Sequence, residues 1–155
     1  MITEKGKEEI LAAVKKYADK RSSVMDALRI AQRDIGYITK GDMEEIASML
    51  GMTPVEVASA ATFYTMYNVR KPVGRHHIQV CRNISCSLMG AEHIIAHIER
   101  LLNIKTGETT GDSRYTLSTV ECLGSCGTAP MMQVNDDYYE NLTREGVEEI
   151  LKGFK

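Results

Sequence analysis

Four cysteines in two closely spaced pairs constrain this 155-residue chain more than any other feature of its sequence. The first pair has the spacing C-x4-C and the second C-x3-C, with 35 residues between them, and the pairs are Cys81 with Cys86 and Cys122 with Cys126. Four thiolates complete either a tetrahedral zinc site or a cysteine-ligated iron–sulfur cluster. A fold that brings the two pairs together therefore holds a metal centre.

Charge and apolar patterning limit the classes of protein to which the chain can belong. With 19 basic and 21 acidic residues the net charge is −2, which argues against a general nucleic-acid binder. The N-terminus is charged, and no apolar run approaches the roughly 20 residues that cross a membrane. We expect a cytoplasmic protein that binds no nucleic acid and does not insert into a membrane. Structural disulfides are rare in that compartment, so metal binding or catalysis explains the cysteines better.

The N-terminal half carries the periodicity of four short amphipathic helices, over residues 1 to about 68. Ser22 is predicted to cap the second helix. The start of the fourth is the clearest, because Thr53, Pro54 and Glu56 supply an N-cap, a proline at the first helical position and a capping-box carboxylate. Short amphipathic helices joined by tight loops predict a helical bundle.

The second half alternates strand and helix signals in the order β-α-β-β-α. The segments are a strand, a helix, a second strand and a hairpin around two aspartates before a closing helix: 77–81, 91–102, 115–121, and 131–135 with 138–141. This order predicts an open sheet flanked by helices. We therefore predict an α+β or α/β chain of two domains, residues 1–74 and 75–155.

In this frame the cysteines lie on loops between strands and helices. Cys81 is predicted to close the first strand and Cys122 the second, while Cys86 precedes the helix and Cys126 lies in the loop before the third strand. If the two strands are neighbours, all four sulfurs meet at one end of the sheet, where open α/β sheets bind ligands.

The residues around the thiols suit a negatively charged cluster. A helix N-terminus directly after Cys86 would present a positive dipole end. Gly124 and Gly127 bracket Cys126 and would let backbone amides approach the sulfurs.

Three other interpretations of the cysteines remain open on pattern alone. Structural zinc fits the short spacings as well as iron–sulfur does. A thiol redox switch would use Cys122 and Cys126, although their spacing is not the C-x-x-C of thioredoxin-like sites. Four ordinary buried cysteines would have no need of pairing.

The sequence around the cysteines resembles the small 2Fe–2S subunit of NADH dehydrogenase modules, the thioredoxin-like ferredoxin subunit of respiratory complex I. The resemblance is carried by residues 80–91 and 120–130, with Leu-Gly-Ser between the last two cysteines. Residues 61–64, 107–110 and 134–136 also resemble that family. The similarity covers nearly the whole chain and includes all four cysteines.

The resemblance implies a helical bundle followed by a thioredoxin-like ferredoxin domain, with one 2Fe–2S cluster on Cys81, Cys86, Cys122 and Cys126. It implies an electron-transfer subunit of NADH:quinone oxidoreductase, beside a flavoprotein subunit that binds FMN and NADH and beside further iron–sulfur subunits. Such a complex would place the chain at the inner face of a membrane. NAD-linked hydrogenases and formate dehydrogenases use related subunits and form the alternative.

No catalytic residue is predicted in the chain itself. No Gly-rich nucleotide-binding turn follows a strand, and no acid–base constellation is evident. His93 and His97 lie one helical turn apart and could ligate a metal, although an exposed helix face is the simpler explanation.

A basic stretch leads up to Cys81 and continues one residue past it. Arg70, Lys71, Arg75 and Arg82 fall within thirteen residues that contain no acid. A solvated linker is the default interpretation, and a docking surface for the flavoprotein is the functional one. Arg82, next to Cys81, is expected to raise the reduction potential of the cluster.

Overall fold

The computed structural model describes residues 1–69 and 71–154, which form two compact units. The first unit is Met1–Pro72 and the second is Val73–Lys155. The boundary predicted between residues 74 and 75 lies two residues from this division. That the units are independent domains stays a prediction.

The first unit is a helical bundle, as predicted. Each α-helix contributes a fully buried side chain to one core, formed among others by Ile10, Leu28, Ile46 and Val57. The elements are α1 (Glu4–Val14), a 3-10 turn (Lys20–Ser23), α2 (Val24–Ile35), α3 (Lys40–Leu50) and α4 (Pro54–Phe63).

The predicted start of α4 is confirmed. The Glu56 N–H donates to the Thr53 hydroxyl at 3.3 Å, and the Glu56 carboxylate accepts the Thr53 N–H at 2.8 Å. This reciprocal pair satisfies two backbone donors that the first turn of a helix otherwise leaves without partners.

The predicted cap at Ser22 is wrong. Asp19 accepts the Arg21 N–H at 2.9 Å, so its carboxylate starts a 3-10 turn three residues earlier and Ser22 lies inside that turn. Helix α2 then continues from Ser23, whose side chain makes no capping hydrogen bond.

Helices α3 and α4 are joined by a sharp turn. Gly51 ends α3 in the left-handed conformation, and Thr53 begins α4. The two helix axes are bent by 117°. Within the described residues, no single helix has both the length and the apolar composition to cross a membrane, and only this bent pair taken together meets both criteria.

The second unit is a four-stranded mixed sheet with helices, which confirms the predicted fold class. The sheet order is β2-β1-β3-β4, with β1 parallel to β2 and antiparallel to β3. A short helix, α5, was not predicted. The elements are β1 (His76–Cys81), α5 (Ile84–Leu88), α6 (Ala91–Leu102), β2 (Tyr115–Val120), a 3-10 turn (Cys126–Thr128), β3 (Met132–Val134), β4 (Asp137–Tyr139) and α7 (Arg144–Gly153).

One core holds the sheet against helices α6 and α7. Ile78 and Val80 of β1 and Leu117 of β2 are fully buried, and they pack in one cluster with Ile98 of α6 and Val147 of α7. Strands β1 and β2 are thereby fixed in place, and the loops that leave their ends are positioned by a well-packed support.

Asp42 fixes the start of α3 and is buried, with 1% of its surface exposed. Its carboxylate accepts the Thr39 N–H at 2.9 Å and the Thr39 hydroxyl at 2.5 Å, and it lies 3.4 Å from the N-terminal amino group. Burial by itself would raise the pKa of this carboxyl. The hydrogen bonds and the nearby positive charge outweigh burial and hold the pKa below its ordinary value of 3.8.

We predict that Asp42→Asn lowers the free energy of unfolding at pH 7 by about 1–2 kcal/mol, because a charged cap is lost. The folded-state pKa is depressed, so this contribution is present above pH 3.8 and is lost as the pH falls further. Urea unfolding between pH 7 and pH 3 should show the two proteins converging at acid pH.

The control is Glu44→Gln, which removes an exposed carboxylate from the same helix and should change stability by less than about 0.5 kcal/mol. A difference between Asp42→Asn and wild type that stays constant down to pH 3 would contradict this account.

Candidate metal centre

The parallel pairing of β1 with β2 brings the two cysteine pairs to one end of the sheet. Cys81, the last residue of β1, is in register with Val120, the last residue of β2, and Cys122 follows two residues later. Cys126 opens the 3-10 turn that precedes β3, and β3 begins at this same end because it runs antiparallel to β1. The loops therefore emerge together, as the sequence predicted.

Two cysteines lie at different places from those predicted. Cys86 is inside the five-residue helix α5, because the Asn83 side chain accepts the Ile84 N–H at 2.9 Å and starts a helical turn there. The helix N-terminus expected directly after Cys86 belongs to α6 and begins only at Ala91. Cys122 lies beyond β2 rather than at its end, since the strand pairing stops at Val120.

The first pair is buried. Cys81 and Cys86 are each 2% exposed and pack with Ala91, Ala129 and Met131. Burial raises the pKa of the Cys86 thiol to about 11, helped by a hydrogen bond with Cys81 and opposed by one from the Met131 backbone amide. Because a bound metal ion deprotonates its thiol ligands, a metal would reverse this preference for the neutral form.

The second pair is exposed to solvent. The Gly124 N–H donates to the Cys122 sulfur at 3.4 Å. Gly124 adopts a φ of +80°, a left-handed conformation that other residues rarely take. The close approach of an amide to a sulfur is therefore confirmed at this glycine.

The donor set fits a four-thiolate centre. All four cysteines are free thiols. The sulfurs of Cys81 and Cys126 are close enough to Cys86 that both raise the pKa of its thiol. Across residues 1–69 and 71–154, no group of three or more His, Cys, Asp or Glu side chains has the spacing of metal ligands. The fit therefore rests on the number and type of the thiols and on their placement at one end of the sheet, on β1, on α5 and in the segment after β2.

The histidine pair of α6 does not form a metal site in the described structure. The His97 Nε2 atom lies 3.2 Å from a carboxylate oxygen of Glu148 on α7, and the His97 side chain is only 16% exposed. His93 lies on the exposed surface of α6. The exposed helix face expected for this pair is therefore found at His93, whereas His97 is largely buried beside α7.

In the folded chain, an acidic side chain from outside the basic stretch lies beside Arg82. The Arg82 Nε atom lies 3.5 Å from a carboxylate oxygen of Glu121, because the β1–β2 register places the residues after Cys81 and Val120 side by side. Glu121 offsets part of the positive charge expected near the cluster. Arg70 lies outside the described residues.

Sequence reasoning missed the polar residues that surround the second cysteine pair. The Ser125 and Thr128 hydroxyls both donate to the carboxylate of Glu140, and the Tyr138 hydroxyl donates to the Leu123 carbonyl at 3.0 Å. These contacts join residues 12 to 15 positions apart across a loop and a hairpin. The one local signal for these contacts is the sequence Ser-x-x-Thr, which spans Cys126.

With the site described, comparison with known proteins identifies the family. A family model described as thioredoxin-like [2Fe-2S] ferredoxin matches residues 10–155. The chain belongs to this family. The resemblance predicted from the cysteine segments is confirmed, and with it the thioredoxin-like fold of the cysteine-bearing unit and the type of cluster for which the family is named.

Relatives of this ferredoxin extend the comparison over most of the chain. An NADH-quinone oxidoreductase subunit of Rhizobium meliloti is 48% identical over 149 residues, which cover 96% of this chain and 88% of that protein. An NADH-quinone oxidoreductase subunit of Thermus thermophilus is 43% identical over 137 residues, which cover 88% of this chain and 75% of that one.

A solved structure has a similar backbone. An NAD+-reducing [NiFe]-hydrogenase chain superposes with a TM-score of 0.72 at 20% identity, over 84% of the ferredoxin. The ferredoxin spans only 22% of that hydrogenase chain. At this identity the similarity supports the fold alone.

We predict that Gly124→Ala destabilises the protein by about 1–2 kcal/mol, because a side chain in the left-handed conformation is strained even where space is free. The matched control is Gly127→Ala, whose added Cβ also meets nothing within 4 Å and whose φ is not left-handed. We expect the control to change stability by less than about 0.5 kcal/mol in chemical denaturation. Equal losses in the two variants would show that backbone conformation at Gly124 is unimportant.

Proposed function

We propose that this chain is the electron-transfer subunit of an NADH-oxidising complex, NADH:quinone oxidoreductase, and that Cys81, Cys86, Cys122 and Cys126 hold its 2Fe–2S cluster. The observation that carries the proposal is the placement of four free thiols at one end of the sheet, two on β1 and α5 and two in the segment after β2, in a chain of this family. When bound, such a cluster takes up and releases one electron at a time.

The two cysteine pairs have different tasks in this proposal. Cys81 and Cys86 are anchored in an apolar cluster, so they form the rigid, water-excluding half of the site. Cys122 and Cys126 are exposed and form the half that a partner protein can approach. The Gly124 amide that reaches the Cys122 sulfur supplies a hydrogen bond of the kind that stabilises the reduced form of a cluster.

Metal analysis of the anaerobically purified protein tests this proposal. We expect iron and acid-labile sulfide in equal amounts, about two of each per chain, and a paramagnetic resonance signal after reduction. Cys122→Ala should abolish both, because a ligand is lost. The control is Ser87→Ala, which removes a side chain close in sequence to Cys86 and should keep the iron. Zinc without iron would contradict the proposal and favour a zinc-stabilised binding module.

The partner that we propose is the subunit that binds FMN and NADH. This chain shows no Gly-rich nucleotide-binding turn, so another protein must supply the electrons. Next to the thiols, α5 turns Cys86 inward and leaves Ile84 and Leu88 71% and 81% exposed. Exposed apolar side chains beside a redox centre suit a docking face. Further iron–sulfur subunits and a location on the inner side of a membrane, without insertion, belong to the same proposal.

The helical bundle offers a second docking face. At the end of α4, Phe63 is 77% exposed, and Tyr64 and Met66 are 42% and 45% exposed. The Phe63 and Tyr64 rings pack edge to face, with centroids 4.9 Å apart. We propose that this apolar surface also binds partner subunits, because the sequence of the bundle gives no catalytic signal.

We predict that Leu88→Glu and Phe63→Glu each reduce co-purification of an FMN-containing subunit by about tenfold or more, since a buried charge at an interface centre is costly. Leu101→Glu is the matched control, because Leu101 is 45% exposed on α6. We expect that variant to retain the partner. Loss with Leu88→Glu alone would contradict docking by the bundle, and capture of a hydrogenase or formate dehydrogenase subunit would contradict the complex proposed.

A further inference from the structure

The hairpin after the second cysteine pair holds the loop of residues 122–128 from outside. Before Cys126, the Tyr138 hydroxyl donates to the Leu123 carbonyl at 3.0 Å. After Cys126, the Asn141 N–H donates to the Thr128 carbonyl at 2.8 Å. The loop is therefore fastened on both sides of the cysteine by a residue of β4 and a residue just beyond it.

Glu140 contacts the loop through two hydrogen bonds, one on each side of Cys126. A single carboxylate oxygen, Oε1, accepts hydrogen bonds from the hydroxyls of Ser125 and Thr128, the latter at 2.6 Å. The two hydroxyl oxygens lie 2.9 Å apart. The Ser125 and Thr128 donors lower the pKa of the Glu140 carboxyl, so it is charged at neutral pH. Hydrogen bonds to a charged acceptor are the stronger kind.

The loop of residues 122–128 needs such support because it has little regular secondary structure of its own. Cys126 begins a 3-10 turn of only three residues, and both Cys122 and Cys126 are exposed. Short 3-10 turns have poor hydrogen-bond geometry. The first pair, by contrast, is held by burial on β1 and α5. Leu123 packs against the apolar cluster around the first pair, and polar contacts supply the rest of the support for the second pair.

The Glu140 contacts also fix the direction of the Ser125 side chain. Ser125 is adjacent to Cys126, and its hydroxyl donates to Glu140. A hydroxyl has one proton to donate. While that proton is engaged with Glu140, it is not donated to a cysteine sulfur.

We propose that Glu140 is a positioning residue: through Ser125 and Thr128 it clamps the loop that presents Cys122 and Cys126 to the cluster. The part of this inference that concerns the cluster rests on the proposed function, whereas the clamp itself is a property of the chain. Because Glu140 is exposed and outside the apolar core, we expect its removal to act on the loop and to leave the fold intact.

The first test measures the loop in the full chain before iron is added. Hydrogen–deuterium exchange of the amides of residues 122–128 should be about tenfold faster in Glu140→Ala, because a doubly bonded charged acceptor is lost. The matched control is Glu149→Ala, which removes an exposed carboxylate from α7 and should leave exchange of the loop unchanged. Exchange as slow in Glu140→Ala as in the control would overturn the clamp.

The second test measures iron release from the cluster-loaded protein to a ferrous chelator. We expect release about tenfold faster in Glu140→Ala than in wild type, and a clearly smaller increase in Glu140→Gln, because its amide oxygen still accepts both hydroxyl protons in weaker hydrogen bonds. This rescue separates positioning from a general loss of stability. Release at the wild-type rate in Glu140→Ala would overturn the role toward the cluster.

A double variant tests whether Ser125 and Glu140 act together. If the clamp works through their contact, Ser125→Ala should add little to the release rate of Glu140→Ala. If the two substitutions instead increase the release rate independently, so that their effects multiply, the clamp does not act through the contact between Ser125 and Glu140. If wild type binds no iron at all, the proposed function fails, and the exchange measurement then decides the clamp on its own.

Discussion

The parallel pairing of β1 with β2 is the constraint on which the site depends. The register that sets Cys81 beside Val120 makes both strands end together, and it brings Arg82 next to Glu121. Because β1 lies between β2 and β3, the loop that enters β3 also joins this end. Parallel strands need a long crossover, and residues 82–114 supply it with α5 and α6.

The site is asymmetric, and the asymmetry has a physical basis. Cys81 and Cys86 lie on β1 and α5, whose inner faces are apolar, so these thiols are buried. Cys122 and Cys126 follow β2 on a loop held by polar side chains from the β4 hairpin. One half of the centre is thus buried and fixed by packing. The other half is exposed and is held by hydrogen bonds together with the packing of Leu123, which is the arrangement expected where a redox centre must stay accessible to a partner.

Local signals in the sequence predicted most of the fold, and contacts distant in sequence were missed. The start of α4 is encoded within four residues by Thr53 and Glu56, so it was found. Helix α5 was not, because five residues are too few to show a helical period. The pairing of Arg82 with Glu121 and the contacts of Glu140 depend on strand register and on the path of a hairpin, which no local pattern records. The cysteines themselves were found because their spacing is local.

Mössbauer spectroscopy of the protein loaded with iron-57 tests the central claim most directly, because it reports the oxidation state and ligands of every iron atom. The account predicts two ferric, sulfur-ligated sites coupled to a diamagnetic ground state, which become one ferric and one ferrous site after one-electron reduction. A single isolated iron site, or a protein that holds zinc and takes up no iron-57, would contradict it.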